Sequence, residues 1–301
     1  MSSSRSNSPS IILPAILACL LWSTAFVVAK KALAFQRPLH LAGMRFLLAG
    51  LLQLAFCGGP SAPFRLIRDE FGTVLLVSLF HTVYLYGTFF LALEWVPAAE
   101  AAIMIGAGPL VSAFVAHLMM AEDRLERRTV LSALFGLAGV TALTLASKPW
   151  SPRGDVRELL GLLLLLSGSF VSALGNVIVA KRKGALHPVA LNSAQMLLGG
   201  PLLLLIALPF EGLPRLLLPA SFYSLLLWLA LISAVGFAIW FHLLARVRVS
   251  RLNLWKFLIP LNGALLSWLL MPGESPTAPA LIGMALILAG IAFGQTAASR
   301  Q

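Results

Sequence analysis

The sequence predicts an all-α membrane protein of ten transmembrane helices, arranged as two inverted five-helix repeats. Three observations carry that expectation: the composition, the spacing of the apolar runs, and a register at which the chain resembles itself. Of 301 residues, 59% are hydrophobic and 11% charged, and the mean hydropathy is +0.92. Soluble domains are about 45–50% apolar and about 25% charged. There is too little polar surface here to cover a water-soluble particle, so lipid is the natural solvent.

The apolar runs have the length that a bilayer core requires, roughly 18–23 residues. Ten are found, at Ser10–Ala29, Leu39–Cys57, Phe71–Leu93, Ala98–Met119, Val130–Ser147, Leu159–Ala180, Val189–Phe210, Phe222–Leu244, Leu252–Met271 and Ala278–Thr296. The breaks are rich in Pro, Gly or charge, as interhelical turns should be, and the tightest is Glu94–Pro97. Ala32-Leu33-Ala34 after the first run imitates a signal-peptide cleavage site. That run exceeds the ~7–15 apolar residues of a signal core, and Lys30-Lys31 stands before the Ala motif, so a retained first span is expected.

The net charge is +11. The basic residues sit in short clusters between apolar runs, such as Arg124–Arg127–Arg128, Lys181–Arg182–Lys183 and Arg246–Arg248–Arg251. That is the positive-inside pattern of a membrane protein, not the basic face of a nucleic-acid binder. With the N-terminus in the cytoplasm, 13 Lys and Arg fall on the cytoplasmic side and 7 on the other, while Arg45 and Lys256 lie within spans. Both termini are therefore expected in the cytoplasm, with the inner (plasma) membrane of a bacterium as the setting. Cys19 and Cys57 are in apolar runs, where Cys behaves as a small hydrophobe; neither a disulfide framework nor zinc spacing is present.

The self-resemblance spans the chain. Pro109 and Pro260, Ala138-Gly139 and Ala289-Gly290, and Ala29-Lys30 and Ala180-Lys181 are each 151 apart. At an offset of 150, Pro38 matches Pro188 and Leu47-Leu48-Ala49-Gly50 matches Leu197-Leu198-Gly199-Gly200. The repeats are read as residues 10–147 and 159–296, joined by a linker at 148–158. Five spans is an odd number, so the second copy inserts upside down, an architecture that places a binding site between the copies near the midplane.

With these residues in hand, the sequence resembles the EamA family of the drug/metabolite transporter superfamily. The resemblance is carried by Leu21-Trp22-Ser23-Thr24-Ala25-Phe26, by Arg45-Phe46, and by the stretch from Ala92-Leu93-Glu94-Trp95-Val96-Pro97 to Ala101-Ala102. It continues through Pro109, Ala121-Glu122 and Gly136-Leu137-Ala138-Gly139-Val140, and recurs with Pro260, Gly273-Glu274 and Ala289-Gly290-Ile291. One departure is Pro272-Gly273-Glu274-Ser275-Pro276 where the first copy has Ala121-Glu122-Asp123-Arg124. The resemblance implies a carrier that exports amino acids or related small metabolites. Its partners would be a small-molecule substrate and the lipid bilayer, with no nucleic acid and no cofactor; a homodimer is left open.

Polar groups inside a membrane are costly and each needs a reason. His81 is ten residues into span three, Trp22 twelve into span one and Asn262 ten into span nine, all near the midplane. Tyr84 and Thr88 follow His81 at i+3 and i+7, on one helical face. Ser169, Ser172 and Asn176 form a similar stripe on span six, with Asn176 nearer the cytoplasm. A substrate cavity of Trp22, His81, Tyr84, Asn176 and Asn262 is expected, against the plainer reading that such groups hold helices together. Arg45 lies ~9 Å inside the outer edge of span two, where it pairs with Glu100 or snorkels to the surface. Lys256, four residues into span nine from the cytoplasmic side, reads as snorkelling or as a charge with a role; His117 and His242 read as interfacial. Pro109 and Pro260 are expected to kink facing helices as a paired gate.

The rival readings are weak. An enzyme would show metal-ligand, nucleophile or paired-acid spacing, and a channel would show rings of charge or a carbonyl filter. No carboxylate lies at midplane depth, so downhill efflux or exchange is expected, with proton coupling through His81 as the alternative.

Overall fold

A computed structural model describes residues 9–295 except 58, 97, 148–153, 183–184 and 271–275. The first half forms α1 (Pro9–Ala32), α2 (Pro38–Gln53), α3 (Ser61–Asp69) and α4 (Phe71–Ser78). The last of these passes through a π-helical turn at Leu79–Tyr84 into α5 (Leu85–Trp95), followed by α6 (Ala98–Gly106), α7 (Gly108–Met119) and α8 (Arg127–Ser147). The second half forms α9 (Val156–Lys181), α10 (Pro188–Glu211), α11 (Ala220–Leu244) and α12 (Val249–Leu254). A 3-10 turn at Trp255–Phe257 leads into α13 (Leu258–Leu270), and α14 (Ala278–Gln295) closes the chain. The described residues contain no strand.

Eight helical stretches among the described residues are long and apolar enough to cross a membrane. The two remaining expected spans differ for local reasons. α2 has only 16 residues, about 24 Å at 1.5 Å per residue. Span nine is divided into α12, the 3-10 turn and α13. Pro109 and Pro260, expected to act as a paired gate, both sit just after such a division. Pro109 occupies the first turn of α7, past the interruption at Ala107, and Pro260 is the third residue of α13. A proline in the first turn of a helix has no intrahelical N–H bond to lose, so a new helix starts there readily. α3, a nine-residue amphipathic helix carrying Arg65 and Arg68 with Phe64 half exposed, was not anticipated, because a search for long apolar runs passes over it.

The packing repeats when the halves are exchanged. α2 packs on α10 and α8 on α14; α1 packs on α11 and α13, as α9 packs on α5 and α7. Small residues set the close approaches, as in membrane helix pairs generally. Gly43 meets Leu204, Leu47 meets Gly200 and Gly50 meets Leu197, so α2 and α10 run antiparallel. Likewise Gly139 meets Ile287, Leu143 meets Gly283 and Gly136 meets Gly290. A Cβ on Gly139 would stand 2.5 Å from the Gly283 carbonyl oxygen, closer than any side chain permits.

Carboxylates from one half cap helix starts in the other. Arg37 supplies no side-chain cap to α2. Instead the Glu211 carboxylate accepts from the Leu39 and His40 backbone N–H groups at 2.8 and 2.9 Å, where helix N-termini favour negative charge. At α12 the buried Asp123 accepts from the Ser250 backbone N–H at 3.0 Å and from its hydroxyl.

Candidate functional site

Two glycines create the centre of the molecule. Trp22 on α1 lies against Gly236 on α11, where a Cβ would stand 2.7 Å from indole Nε1. The indole packs on Phe237 and Trp240 with ring centroids 5.2 Å away in each case. His81 lies against Gly175 on α9, where a Cβ would stand 2.7 Å from Nε2. Its ring rests on Phe241 at 5.5 Å and Phe237 at 6.2 Å. Asn176, next to Gly175 and fully buried, accepts a hydrogen bond from Trp240 Nε1 at 3.4 Å. Trp22, His81 and Asn176 thus meet around Phe237, Trp240 and Phe241.

These groups are incompletely bonded. Trp22 Nε1, His81 Nε2 and Asn176 Nδ2 are buried without a hydrogen-bond partner of acceptable geometry among the described residues. A buried polar group left unmet costs about 1–3 kcal/mol, and such groups in native structures point to water or a ligand. Three buried polar groups without a partner thus meet beside one aromatic wall.

The other expected residues are placed differently. Tyr84 is 38% exposed and its hydroxyl donates to Ser167 Oγ at 3.0 Å, away from His81. The reason is the π turn: its wider winding breaks the i, i+3 face on which the two residues were expected to coincide. Thr88 bonds back to the Tyr84 carbonyl at 2.8 Å, a within-helix contact. Asn262 is 9% exposed on α13, which packs on α1, and its Nδ2 is also unbonded. The Glu100 side chain lies outside the described residues. Arg45 does not snorkel. It is 8% exposed, donates from Nε to Ser233 Oγ at 2.6 Å, and stacks its guanidinium 5.3 Å from the Phe46 ring centroid and 5.5 Å from that of Tyr86. Lys256 turns inward as well, with Nζ 4.9 Å from the Trp240 ring centroid, a cation–π placement rather than a surface one. His117 Nδ1 accepts from the Leu125 backbone N–H at 3.0 Å, at the end of its helix.

The sequence reading missed the aromatic wall itself, although Phe237, Trp240 and Phe241 follow an i, i+3, i+4 spacing on α11 behind Gly236. It also missed the ties between halves. Glu126 on the first half meets Arg248 at 2.5 Å and Arg251 at 3.3 Å, Asp123 holds Ser250, and Arg182 meets Glu70 at 3.5 Å and Thr73 Oγ1 at 3.0 Å. All of these lie at helix ends beside the basic clusters.

Apolar helices long enough to cross a membrane many times, around a polar, aromatic-walled centre shared by two halves, define a multi-pass membrane protein. The comparisons with known proteins agree. The family model described as the EamA-like transporter family matches residues 9–145 and again 159–294, and the chain belongs to this family. It is 29% identical over 287 residues to the "Probable amino-acid metabolite efflux pump" of Salmonella typhimurium, covering 92% of each chain. It is 27% identical to the protein of the same description in Escherichia coli, again covering 92% of each. The "Uncharacterized transporter YvbV" of Bacillus subtilis is 25% identical, with 94% of this chain and 90% of that one covered. A crystal structure 22% identical in sequence superposes with a TM-score of 0.81 over 93% of this chain and 94% of its own, which shows a shared fold.

Proposed function

We propose that the chain exports amino acids or related small metabolites, by alternating access between two inverted five-helix repeats at 10–147 and 159–296. The observation that carries this reading is the set of buried, unbonded polar groups of Trp22, His81 and Asn176 at the junction of the halves. The antiparallel pairing of α2 with α10 and α8 with α14 supports the inverted relation, and counting α2 and the divided α12–α13 as spans brings the number to ten. The names of the Salmonella and Escherichia relatives support the substrate class. In this reading Asn262 and Tyr84 border the site at different stages of the cycle, and the helix divisions ahead of Pro109 and Pro260 are where spans four and nine bend. Lys256 Nζ, 4.9 Å from the Trp240 ring centroid, stands at the inner side of the site.

Solute counterflow into proteoliposomes with a panel of amino acids tests the function. Saturable uptake driven by trans substrate is the expected result. A non-saturating leak would defeat the carrier, and counterflow with none of the panel would defeat the amino-acid class. No carboxylate contacts the His81–Trp22 cluster among the described residues, which favours facilitated export or exchange. The same vesicles under an imposed pH gradient should therefore accumulate nothing uphill.

The bacterial inner membrane, with both termini cytoplasmic, completes the proposal and rests on the 13-to-7 distribution of basic residues. Arg127→Cys in oriented cells should react with an impermeant maleimide only after the cytoplasmic side is opened. Labelling from outside in intact cells would reverse the orientation.

A further inference from the structure

We infer that Arg45 is the residue that receives a substrate's carboxylate, so that the carrier reading above, on which this rests, narrows to carboxylate-bearing solutes. Arg45 is more than nine-tenths buried and has no ion-pair partner among the described residues. Nε is committed to Ser233 Oγ, and the Phe46 and Tyr86 rings lie together on one side of the guanidinium, their centroids 5.3 and 5.5 Å from its carbon and 4.6 Å from each other. Among the described residues neither Nη nitrogen has a hydrogen bond, and neither is among the sealed, unpartnered buried atoms. What remains is a planar donor fork, anchored through Nε, with both terminal nitrogens free of a described partner. That fork matches a carboxylate in both shape and charge. A lone cation inside a membrane is costly until an anion joins it.

The fork also borders the centre. Ser233 lies three residues before Gly236, on which Trp22 rests, and one helical turn before Phe237. The Phe46 and Phe237 ring centroids are 6.3 Å apart. A carboxylate on Arg45 would leave the rest of a small solute along the Phe237–Trp22 wall, within reach of the unbonded polar groups.

The repeat argues that the charge is not there for packing. The 150-residue offset brings Gln195 to the place of Arg45, and the 151-residue offset brings Thr82 to the place of Ser233. In that second copy Thr82 Oγ1 donates to Gln195 Oε1 at 2.8 Å, and Gln195 Nε2 donates to Asn192 Oδ1 at 3.1 Å, with no exposure. The same position is therefore filled by a neutral amide whose oxygen and nitrogen are both bonded. Only the first copy carries a cation with donors to spare.

The test measures ligand-induced thermal stabilisation of the detergent-purified protein. The probes are L-leucine, L-phenylalanine and phenylacetate, each against its primary amide, and inorganic phosphate. The wild type should bind at least one acid about tenfold or more tightly than its amide, the scale of a charge-assisted fork. Arg45→Gln, which installs the residue of the equivalent position, should fold and bind acid and amide within about twofold of each other. Arg45→Met, a second neutral side chain of similar reach, is read in the same way if Arg45→Gln does not insert. A wild type without acid-over-amide preference, neutral variants that keep it, or stabilisation by phosphate alone would each overturn the inference. Arg45-dependent binding of phenylacetate without any amino acid would uphold it while defeating the amino-acid reading. Amino-acid counterflow without discrimination against amides would do the reverse.

Discussion

Asp123→Ala should loosen the end of the bundle where Asp123 meets Ser250 and raise the exposure of the buried interior by about tenfold. Asp123 is fully buried and accepts both the backbone N–H and the hydroxyl of Ser250, at the start of a helix in the opposite half. Removing the carboxylate leaves those donors unmet, at about 1–3 kcal/mol for a buried group. Each 1.4 kcal/mol is a factor of ten in a two-state ratio, so in the alternating-access cycle proposed above the loss of this contact should raise the open fraction about tenfold. Glu126 bonds Arg248 and Arg251 in the same place, but those side chains are partly exposed and an exposed pair contributes less. Cys19 is a native reporter: it is fully buried on α1, and its thiol donates to the Trp255 carbonyl at 3.2 Å. In a Cys57→Ser background, its maleimide labelling should rise about tenfold in Asp123→Ala and less in Asp123→Asn, which keeps one acceptor oxygen. Equal labelling in all three proteins, with equal thermal stability, would mean that the Asp123–Ser250 contact is a cap without control over the halves.

How much of this was legible beforehand depends on the kind of signal. Apolar run length, basic clusters and the 150/151 register are properties of the chain alone, and they lead to an all-helical membrane protein with two similar halves. Helix bounds are not such a property. α2 ends at Gln53 although its apolar run continues to Cys57, and span nine divides where Trp255–Phe257 tightens into a 3-10 turn. Trp22 and His81 were found by depth and Asn176 by its place on a polar stripe, and they meet because Gly236 and Gly175 admit them. Tyr84 falls outside the His81 cluster because a 3.6-residue period was carried across a turn wound more widely. Arg45 was misjudged for a related reason. Its depth was counted from the end of its own short helix, whereas its partner Ser233 lies near the middle of the 25-residue α11. Depth in a bundle is set by neighbours, and a neighbour cannot be read from one helix. Gln195, by contrast, could have been matched to Arg45 from the repeat alone, with the comparison of charge that follows.

His81→Leu should fold and insert like the wild type and lose about tenfold or more of its counterflow activity. The expectation weighs two readings of the same ring. As a packing element, His81 is 2% exposed between Phe237, Phe241 and Gly175, and Leu can fill that space at little cost, since swaps near constant volume are tolerated best. As a binding element, it carries a buried Nε2 without a partner, and it stands on a π turn, a form of helix that interrupts regular winding and recurs at functional sites. That turn buries His81 toward α9 and α11 while Thr82, the next residue, faces α10 and bonds Gln195. Losing one hydrogen bond to a buried polar substrate group costs about 1–3 kcal/mol, which is the tenfold or larger loss expected. His81→Ala would show the same loss together with a lower melting temperature, from the cavity it leaves. Because Leu keeps the volume, stability and transport separate: a His81→Leu protein with unchanged melting temperature and unchanged counterflow would reduce His81 to a packing residue and leave Trp22 and Asn176 to account for the site.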